Sequence, residues 1–199
     1  IDGGCSMKKT ICWLFISLLI CSSCSADKKD TSDPKGCDGD ELCDVTERSD
    51  MSGYEGFMDN EHQFVEVPMS DFLLKLDAGA TGIYYFGYTT CPWCVEAVPI
   101  MNEVAKELDV KIFYIDKKAE TTKEEDSKAI EARIPDKLDK DDEGNPHLYV
   151  PYVITIKEGE ITSYHTGTVD SHDAHERKMT DEEKAELKKR YQEMFQTIK

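Results

Sequence analysis

The sequence predicts an α/β domain in which a central mixed β-sheet is flanked by helices. Short apolar runs such as residues 83–86 are typical of buried strands, and apolar residues spaced by three and four positions indicate amphipathic helices between them. The elements follow the order β-α-β-α-β, an insertion, and then β-β-α, which places parallel and antiparallel strands in one sheet. A chain of 199 residues, of which 39% are hydrophobic, has enough apolar content for one such domain with extensions.

The first five elements are predicted from apolar periodicity and from residues that begin or end helices. They are a strand at 64–67, a helix at 70–76, a strand at 83–86, a helix at 91–108 and a strand at 110–115. Ser70 can cap the first helix, which ends before Gly79. Pro92 suits the first position of the second helix, because its missing N–H leaves no helical hydrogen bond unmade. The fifth element closes a right-handed strand–helix–strand unit.

The later elements follow a charged insertion over residues 117–148, which contains a predicted helix near 122–132. They are a strand at 149–156 with a proline at its beginning, a turn at Glu158-Gly159, a returning strand at 161–164 and a final helix. Thr180 and Glu183 form a capping box at the start of this helix. Its apolar stripe consists of Leu187, Tyr191, Met194, Phe195 and Ile198.

The most informative motif is Cys91-Pro92-Trp93-Cys94, which lies where a buried strand turns into a helix. This position puts Cys91 at or near the helix N-cap, where unpaired amides and the positive end of the helix dipole stabilise a thiolate. The thiolate is the form of cysteine that attacks disulfides, so the motif predicts thiol–disulfide exchange. The alternative for such a pair is a structural disulfide or one half of a zinc site.

The amino-terminal part has the pattern of a secretion signal. Two lysines precede an apolar run over residues 11–21, which is shorter than the roughly 20 residues that span a bilayer. Small residues before Cys24 resemble a bacterial lipobox, although Cys21 stands where Leu is usual. We therefore expect residues 1–23 to be an upstream extension and signal peptide. Lipidation of Cys24 would anchor the protein at the outer, extracytoplasmic face of the bacterial cell membrane, and the alternative is a secreted soluble protein.

Residues 24–60 are acidic, rich in Asp, Ser and Gly, and almost without apolar periodicity. This composition predicts a disordered tether before a folded domain at residues 61–199. Cys37 and Cys43 lie within the tether. Outside the cytosol they are expected to form a local Cys37–Cys43 disulfide, with free thiols or a metal site shared with Cys91 and Cys94 as alternatives.

Charge and motif content argue against several classes of ligand. The formal net charge of −17 repels nucleic acid and anionic lipid surfaces, so neither is an expected partner. The acidic stretch at 139–145 resembles the start of a twelve-residue calcium-binding loop. The twelfth position of that loop needs a bidentate Glu, and this chain has Val150 there. We assign no metal ligands and no cofactor.

The motifs together resemble the thioredoxin-like thiol–disulfide oxidoreductases, over about residues 64–199. The matching features, in order, are Cys91-Pro92-Trp93-Cys94, Pro99 five residues later, Val150-Pro151 before a strand, and the hairpin at 157–160 with Gly167 beyond it. The segment 86–94 also resembles a Gram-positive lipoprotein subgroup, the bacteriocin transport accessory proteins. The resemblance implies a thioredoxin-like fold with an insertion before the proline-containing strand.

The resemblance also implies roles for five residues. Cys91 is the expected nucleophile and Cys94 the buried resolving thiol. Trp93 would flank the pair and offer substrates an apolar contact. A cis bond before Pro151 would hold the Val150 backbone beside the sulfurs, ready to pair with a substrate strand.

The sequence departs from the family at the group that helps to move the proton of the resolving thiol. The family has a buried acid six residues before the first cysteine, where this chain has Tyr85, and a lysine partner where this chain has Ile112. Glu96 and water are the candidates that the sequence leaves for accepting the Cys94 proton.

These features predict exchange on protein thiols and disulfides by a monomer. The expected potential is reducing or intermediate, because no His lies between the cysteines to stabilise the thiolate strongly. A reductase outside the cell would need a membrane redox partner. The alternative is a non-catalytic accessory lipoprotein of the same fold that binds exported peptides.

Overall fold

The computed structural model describes residues 48–199, and its core is a five-stranded sheet. The strands are β1 (Phe64–Glu66), β2 (Gly82–Gly87), β3 (Ile112–Asp116), β6 (Tyr152–Lys157) and β7 (Glu160–Thr166), and the short β4 (Asp139–Lys140) and β5 (Pro146–His147) pair separately. The helices are α1 (Met69–Asp77), α2 (Pro92–Leu108), α3 (Glu124–Arg133) and α4 (Asp181–Gln196). The signal peptide, Cys24, Cys37 and Cys43 lie outside the described residues.

The sheet has the order β1-β3-β2-β6-β7. β1 and β2 each pair with β3 in parallel, whereas β6 runs antiparallel to both β2 and β7. Parallel neighbours are possible on one side because α1 and α2 return the chain across the sheet, and the tight turn at Glu158-Gly159 makes the last pair antiparallel. This is the mixed, helix-flanked sheet of the thioredoxin-like fold, so the predicted fold class is confirmed.

Alternating residues on the strands separate two cores, one on each face of the sheet. Tyr85 and Val153 point to the face covered by α2 and α4, whereas Tyr84 and Ile154 point to the face covered by α1 and α3. The central strand β2 is buried at all six positions. Because both faces are covered, this strand reads as a continuous apolar run instead of an alternating one.

The helix boundaries differ from the predictions mainly at α1. This helix follows Pro68, which makes no side-chain cap, and Ser70 lies inside the first turn, where its hydroxyl donates to Asp71. The prediction that Ser70 caps α1 is therefore wrong. The capping box at Thr180 is confirmed, since its hydroxyl accepts the Glu183 N–H while the Glu183 carboxylate accepts the Thr180 N–H.

Residues 48–60, the amino-terminal segment, pack against the domain. Met51 and Tyr54 are buried at 3% and 1% exposure in the core beneath α2. Asp59 accepts hydrogen bonds from Asn102 and Lys106 of α2, and the strong interaction with Lys106 holds the pKa of Asp59 at about 2. The predicted tether is therefore wrong for residues 48–60. Its few apolar side chains show no periodicity, because they fill a surface that other elements create.

The insertion after β3 covers the second core. α3 contributes Ile130, and Ile134 follows it into the same core. The acidic loop is closed by Asp141, whose carboxylate accepts the N–H groups of Glu143 and Asn145 at 3.0 and 2.8 Å. Within residues 48–199, no group of three or more His, Cys, Asp or Glu side chains is arranged to hold a metal ion. None of the helices described there has the length and apolar character needed to cross a membrane.

We predict that Tyr54→Ala lowers the free energy of unfolding by about 3–5 kcal/mol, the usual cost of removing a large buried aromatic side chain. Met58→Ala is the matched control in the same segment, because Met58 is 89% exposed, and it should change stability by less than about 0.5 kcal/mol. Denaturant unfolding of the reduced proteins measures both. Equal, negligible effects would show that the segment does not pack on the domain in solution.

Candidate functional site

The two cysteines lie at the start of α2, immediately after β2 ends at Gly87. Cys91 is the N-cap of this helix, with φ −85° and ψ 117°, and Pro92 takes the first helical position. The backbone N–H of Cys94 donates to the Cys91 sulfur at 3.3 Å, in place of the hydroxyl cap that Ser or Thr would supply. The strand-to-helix pattern thus brings one sulfur against the unpaired amides of a helix N-terminus, as the sequence predicts.

This environment favours the thiolate of Cys91. The Cys94 thiol donates to the Cys91 sulfur, and the backbone N–H groups of Cys94 and Trp93 add to its effect, so the pKa of Cys91 falls to about 7. Lys118 contributes a further favourable charge. Near neutral pH, about half of the Cys91 side chains therefore carry the charge that nucleophilic attack on a disulfide requires.

Cys94 has the opposite environment one turn further along α2. Its side chain is 0% exposed, and burial, followed by the neighbouring Cys91 sulfur, raises its pKa far above the ordinary value. The Tyr85 hydroxyl on β2, which lies in the same core, acts in the opposite direction and lowers the pKa of Cys94 as a hydrogen-bond donor does. The pair therefore consists of one activated sulfur at the N-terminus of α2, where Cys91 is 3% exposed, and one protonated sulfur fully enclosed in the core.

A groove of about 490 Å³ opens over the Cys91 sulfur. Its walls include Trp93 on one side and Val150 on the other, and the Val150–Pro151 peptide bond is cis. The Cys91 thiol lies 3.8 Å from the Val150 carbonyl oxygen, close to the limit for a hydrogen bond to sulfur. Trp93 packs edge-on against His175, with ring centroids 4.6 Å apart. The structure thus brings Cys91, Trp93 and Val150 together at one groove, with Cys94 buried in the core and Pro151 joined to Val150 by the cis bond.

Two lysines near this groove were not predicted from the sequence. Lys117 donates to the Leu148 carbonyl and so holds the loop before Val150, while Lys118 lies 3.8 Å above the Tyr88 ring and donates to Thr90. Both follow β3, whose carboxyl end lies beside that of β2 because the two strands are parallel. Polar residues directly after neighbouring parallel strands are the sequence signal that could have located them.

The structure places the side chains considered for moving the Cys94 proton in different surroundings. Glu96 accepts a hydrogen bond from the Met179 backbone N–H at 3.0 Å, so its carboxylate anchors the chain before α4. Ile112 is fully buried and pairs in register with Ile83, and it offers no polar group. Tyr85, in contrast, lies in the same buried core as Cys94, and its hydroxyl is the side-chain group that lowers the pKa of that thiol. The departure from the family pattern therefore places a phenol at the resolving thiol.

Gly87 leaves room for this phenol. A Cβ atom at residue 87 would lie 2.1 Å from the Tyr85 hydroxyl oxygen and 2.4 Å from the ring carbon that carries it. Residues 85 and 87 point to the same face of β2, because side chains alternate along a strand. Glycine is thus required for steric reasons at the point where the strand gives way to the cysteine turn.

No protein-family model matches this chain. Among solved structures, a thioredoxin of Trypanosoma brucei brucei is 17% identical, over 70% of this chain and 98% of that chain, with a TM-score of 0.41. Thioredoxin O2 of Arabidopsis thaliana in its oxidized state is 19% identical, over 58% and 88% of the two chains, with a TM-score of 0.38. At these identities the likeness concerns the fold alone, which the strand order and register of the sheet define here.

We predict that alkylation of the reduced protein labels Cys91 first, with a rate that rises as the pH increases through about 7 and then levels off. An ordinary thiol would show this rise near pH 8.5. Peptide mass spectrometry separates Cys91 from Cys94, which should stay unlabelled under native conditions because it is buried. Cys94→Ala removes the thiol donor and should move the rise to higher pH, while Cys94→Ser retains a donor and should move it less. Preferential labelling of Cys94 would reverse the assignment.

Proposed function

We propose that this protein exchanges thiols and disulfides with protein substrates through Cys91 and Cys94. The observation that carries the proposal is the opposite treatment of the two sulfurs, with Cys91 held as a thiolate at the groove and Cys94 kept protonated three residues behind it. A structural disulfide or a zinc half-site needs no such difference between its two sulfurs. Thiol–disulfide exchange needs this difference, because one sulfur must attack the substrate while the other stays unreactive until the mixed disulfide has formed.

The exchange takes place in two steps. The Cys91 thiolate attacks one sulfur of a substrate disulfide, so that a mixed disulfide forms and the other substrate sulfur leaves with the electron pair. Cys94 then attacks the Cys91 sulfur, and the bond to the substrate breaks. The substrate gains two electrons and two protons, and Cys91 and Cys94 become a disulfide. The same steps in reverse oxidise a dithiol.

The groove supplies the means of holding a protein substrate during these steps. Within residues 48–199, the Val150 carbonyl accepts a hydrogen bond only from the Cys91 thiol, at 3.8 Å, and it is available to pair with an extended substrate backbone. Trp93, supported by His175, offers an apolar face beside the sulfur. These contacts support the assignment of Trp93, Val150 and Pro151 to substrate binding.

We infer a reducing or intermediate potential. A strong periplasmic oxidant stabilises its thiolate until the pKa is about 3.5, whereas the thioredoxin nucleophile has a pKa of about 7. The pKa of about 7 for Cys91 corresponds to the second regime. In the proposed setting, the protein is lipid-anchored at Cys24 on the outer face of the membrane, and a membrane redox partner recharges it. The signal pattern and the absence of a reductant pool outside the cell support this setting.

Insulin reduction separates catalysis from simple peptide binding. We predict that Cys91→Ser reduces turnover to the uncatalysed rate, because the nucleophile is lost. Cys94→Ser should trap mixed disulfides between Cys91 and protein partners, since no thiol remains to resolve them. A wild-type protein that does not exceed the uncatalysed rate would support the accessory, peptide-binding alternative, and trapping by Cys91→Ser instead of Cys94→Ser would reverse the order of attack.

Substrate contact at the groove has its own test. We predict that Trp93→Ala raises the KM for a protein disulfide about tenfold, which corresponds to about 1.4 kcal/mol of lost contact, and leaves the pKa of Cys91 near 7. Tyr164→Ala is the control, because Tyr164 is an exposed aromatic on β7 outside the groove lining. Steady-state kinetics and the alkylation profile measure the two effects. An unchanged KM would remove Trp93 from the binding surface.

A further inference from the structure

Three buried tyrosines form a chain of hydroxyl groups behind the cysteine pair. Tyr54 comes from the amino-terminal segment, Tyr85 from β2 and Tyr114 from β3. The Tyr54 hydroxyl lies 3.1 Å from the Tyr85 hydroxyl and donates to the Tyr114 hydroxyl, also at 3.1 Å. The Tyr85 and Tyr114 rings are stacked with centroids 5.4 Å apart, so the hydroxyl groups are held in a fixed arrangement.

This chain ends at the resolving thiol, because Tyr85 and Cys94 lie in the same core and the Tyr85 hydroxyl, acting as a hydrogen-bond donor, lowers the pKa of Cys94. A phenol hydroxyl both donates and accepts, so each member can turn its hydrogen toward a neighbour that gains charge. Tyr54 can then donate to the Tyr85 oxygen while Tyr85 donates to a Cys94 thiolate. Burial keeps the pKa of all three phenols above the ordinary value, and Tyr85 therefore remains a neutral donor.

The other titratable groups that act on Cys94 come from each element packed around it. Cys91 begins α2, Tyr88 lies in the turn before it, and Tyr191 projects from α4. Among the described residues, the buried Tyr191 hydroxyl has no hydrogen-bond partner, so it makes no contact there that could stabilise a charge on the sulfur. Tyr88 acts on Cys94 through its backbone and through the charge of its phenol, and the lysine at the site, Lys118, acts on Cys91. The Tyr85 hydroxyl is thus the side-chain donor positioned for a Cys94 thiolate.

We propose that Tyr85 is a catalytic residue of the resolving step, in which its hydroxyl donates to the Cys94 sulfur as that sulfur becomes the attacking thiolate, with Tyr54 and Tyr114 as positioning residues. This inference rests on the proposed exchange function. In this step the Cys94 sulfur bonds to the Cys91 sulfur, the bond to the substrate breaks, and the substrate sulfur leaves with the electron pair. The departing thiolate takes up the proton that Cys94 released, and Tyr85 ends the step protonated as it began.

A neutral phenol suits this position for an energetic reason. A second negative charge beside the buried thiolate would oppose its formation, whereas a hydrogen-bond donor stabilises it. A hydrogen bond to a charged group is worth about 1.5–3 kcal/mol, and an unmet charge in the core costs more. The hydroxyl of Tyr54 strengthens this donor, because linked hydrogen bonds polarise one another.

The test follows a single turnover with dithionitrobenzoate, an aromatic disulfide, on the reduced full chain. Cys91 first forms a mixed disulfide with thionitrobenzoate, and Cys94 then releases it. Acid quenching followed by mass spectrometry of the peptide that contains both cysteines gives the rate of each step, without interference from the other cysteines. We predict that Tyr85→Phe slows the second step about ten- to hundredfold, the factor that corresponds to losing one hydrogen bond to a charged group. The first step should stay within about twofold of the wild-type rate.

The pH dependence gives a readout that a structural role would not produce. Loss of the donor raises the pKa of Cys94, so the second step in Tyr85→Phe should accelerate only at higher pH than in the wild type. Tyr84→Phe and Tyr191→Phe are the matched controls, one on the opposite face of β2 and one in the same core with an unpaired hydroxyl. Both should leave the two rates unchanged.

Two further variants keep the test decisive if Tyr85→Phe disturbs packing. Tyr54→Phe leaves the contact with Cys94 intact and should slow the second step by a smaller factor, about two- to tenfold. Ortho-fluorotyrosine at position 85 is a stronger donor of similar size and should move the second step to lower pH. An unchanged rate and pH profile in these two proteins and in Tyr85→Phe would overturn the role of Tyr85 while leaving exchange established by the first step. A wild-type protein with no first step would instead overturn the proposed function.

Discussion

The arrangement of the site depends on one capping interaction, the hydrogen bond from the Cys94 N–H to the Cys91 sulfur at the start of α2. A helix begins with N–H groups that no helical carbonyl can accept, and here a sulfur accepts one of them. The same contact ends the turn that leads out of β2 and fixes where the following residues project. Because Cys94 lies one turn into the helix, capping by Cys91 automatically sends Cys94 toward the sheet. The different positions of the two sulfurs, one bordering the groove and the other enclosed in the core, are therefore consequences of a single local geometry.

The surroundings of the two sulfurs then give Cys91 and Cys94 different pKa values. Amide dipoles and a neighbouring thiol stabilise charge on Cys91, whereas apolar surroundings oppose charge on Cys94. Two chemically identical side chains thus acquire separate roles from their surroundings, as do other pairs of titratable groups whose environments push their pKa values apart. Burial of the second sulfur protects it from wrong partners but leaves it difficult to ionise. A hydrogen-bond donor inside the core stabilises the Cys94 thiolate without adding another buried charge.

Local signals made most of the fold predictable, and non-local contacts account for what was missed. The buried run of β2, the proline after Cys91 and the capping box at Thr180 each specify an element by themselves, so these elements agree with the sequence predictions. The amino-terminal segment carries no such signal, because Tyr54 and Met51 acquire a place only when α2 and the sheet present a surface. Ser70 was misleading for a related reason, since Pro68 already fixes the backbone that begins α1.

The site was predictable to a similar extent. The order of the motifs placed the cysteines and the Val150-Pro151 loop together, and the same comparison with the family exposed Tyr85 as a departure. The partner of Tyr85 could not be found in this way, because Tyr54 precedes it by 31 residues and lies in a stretch with the composition of a disordered region. The close approach of Gly87 to the Tyr85 phenol also restricts the order in which these two positions can be substituted during evolution. A side chain at position 87 becomes admissible only after the aromatic ring at position 85 has been exchanged for something shorter. The two positions can therefore change only in a fixed order, and a lineage that keeps the tyrosine keeps the glycine with it.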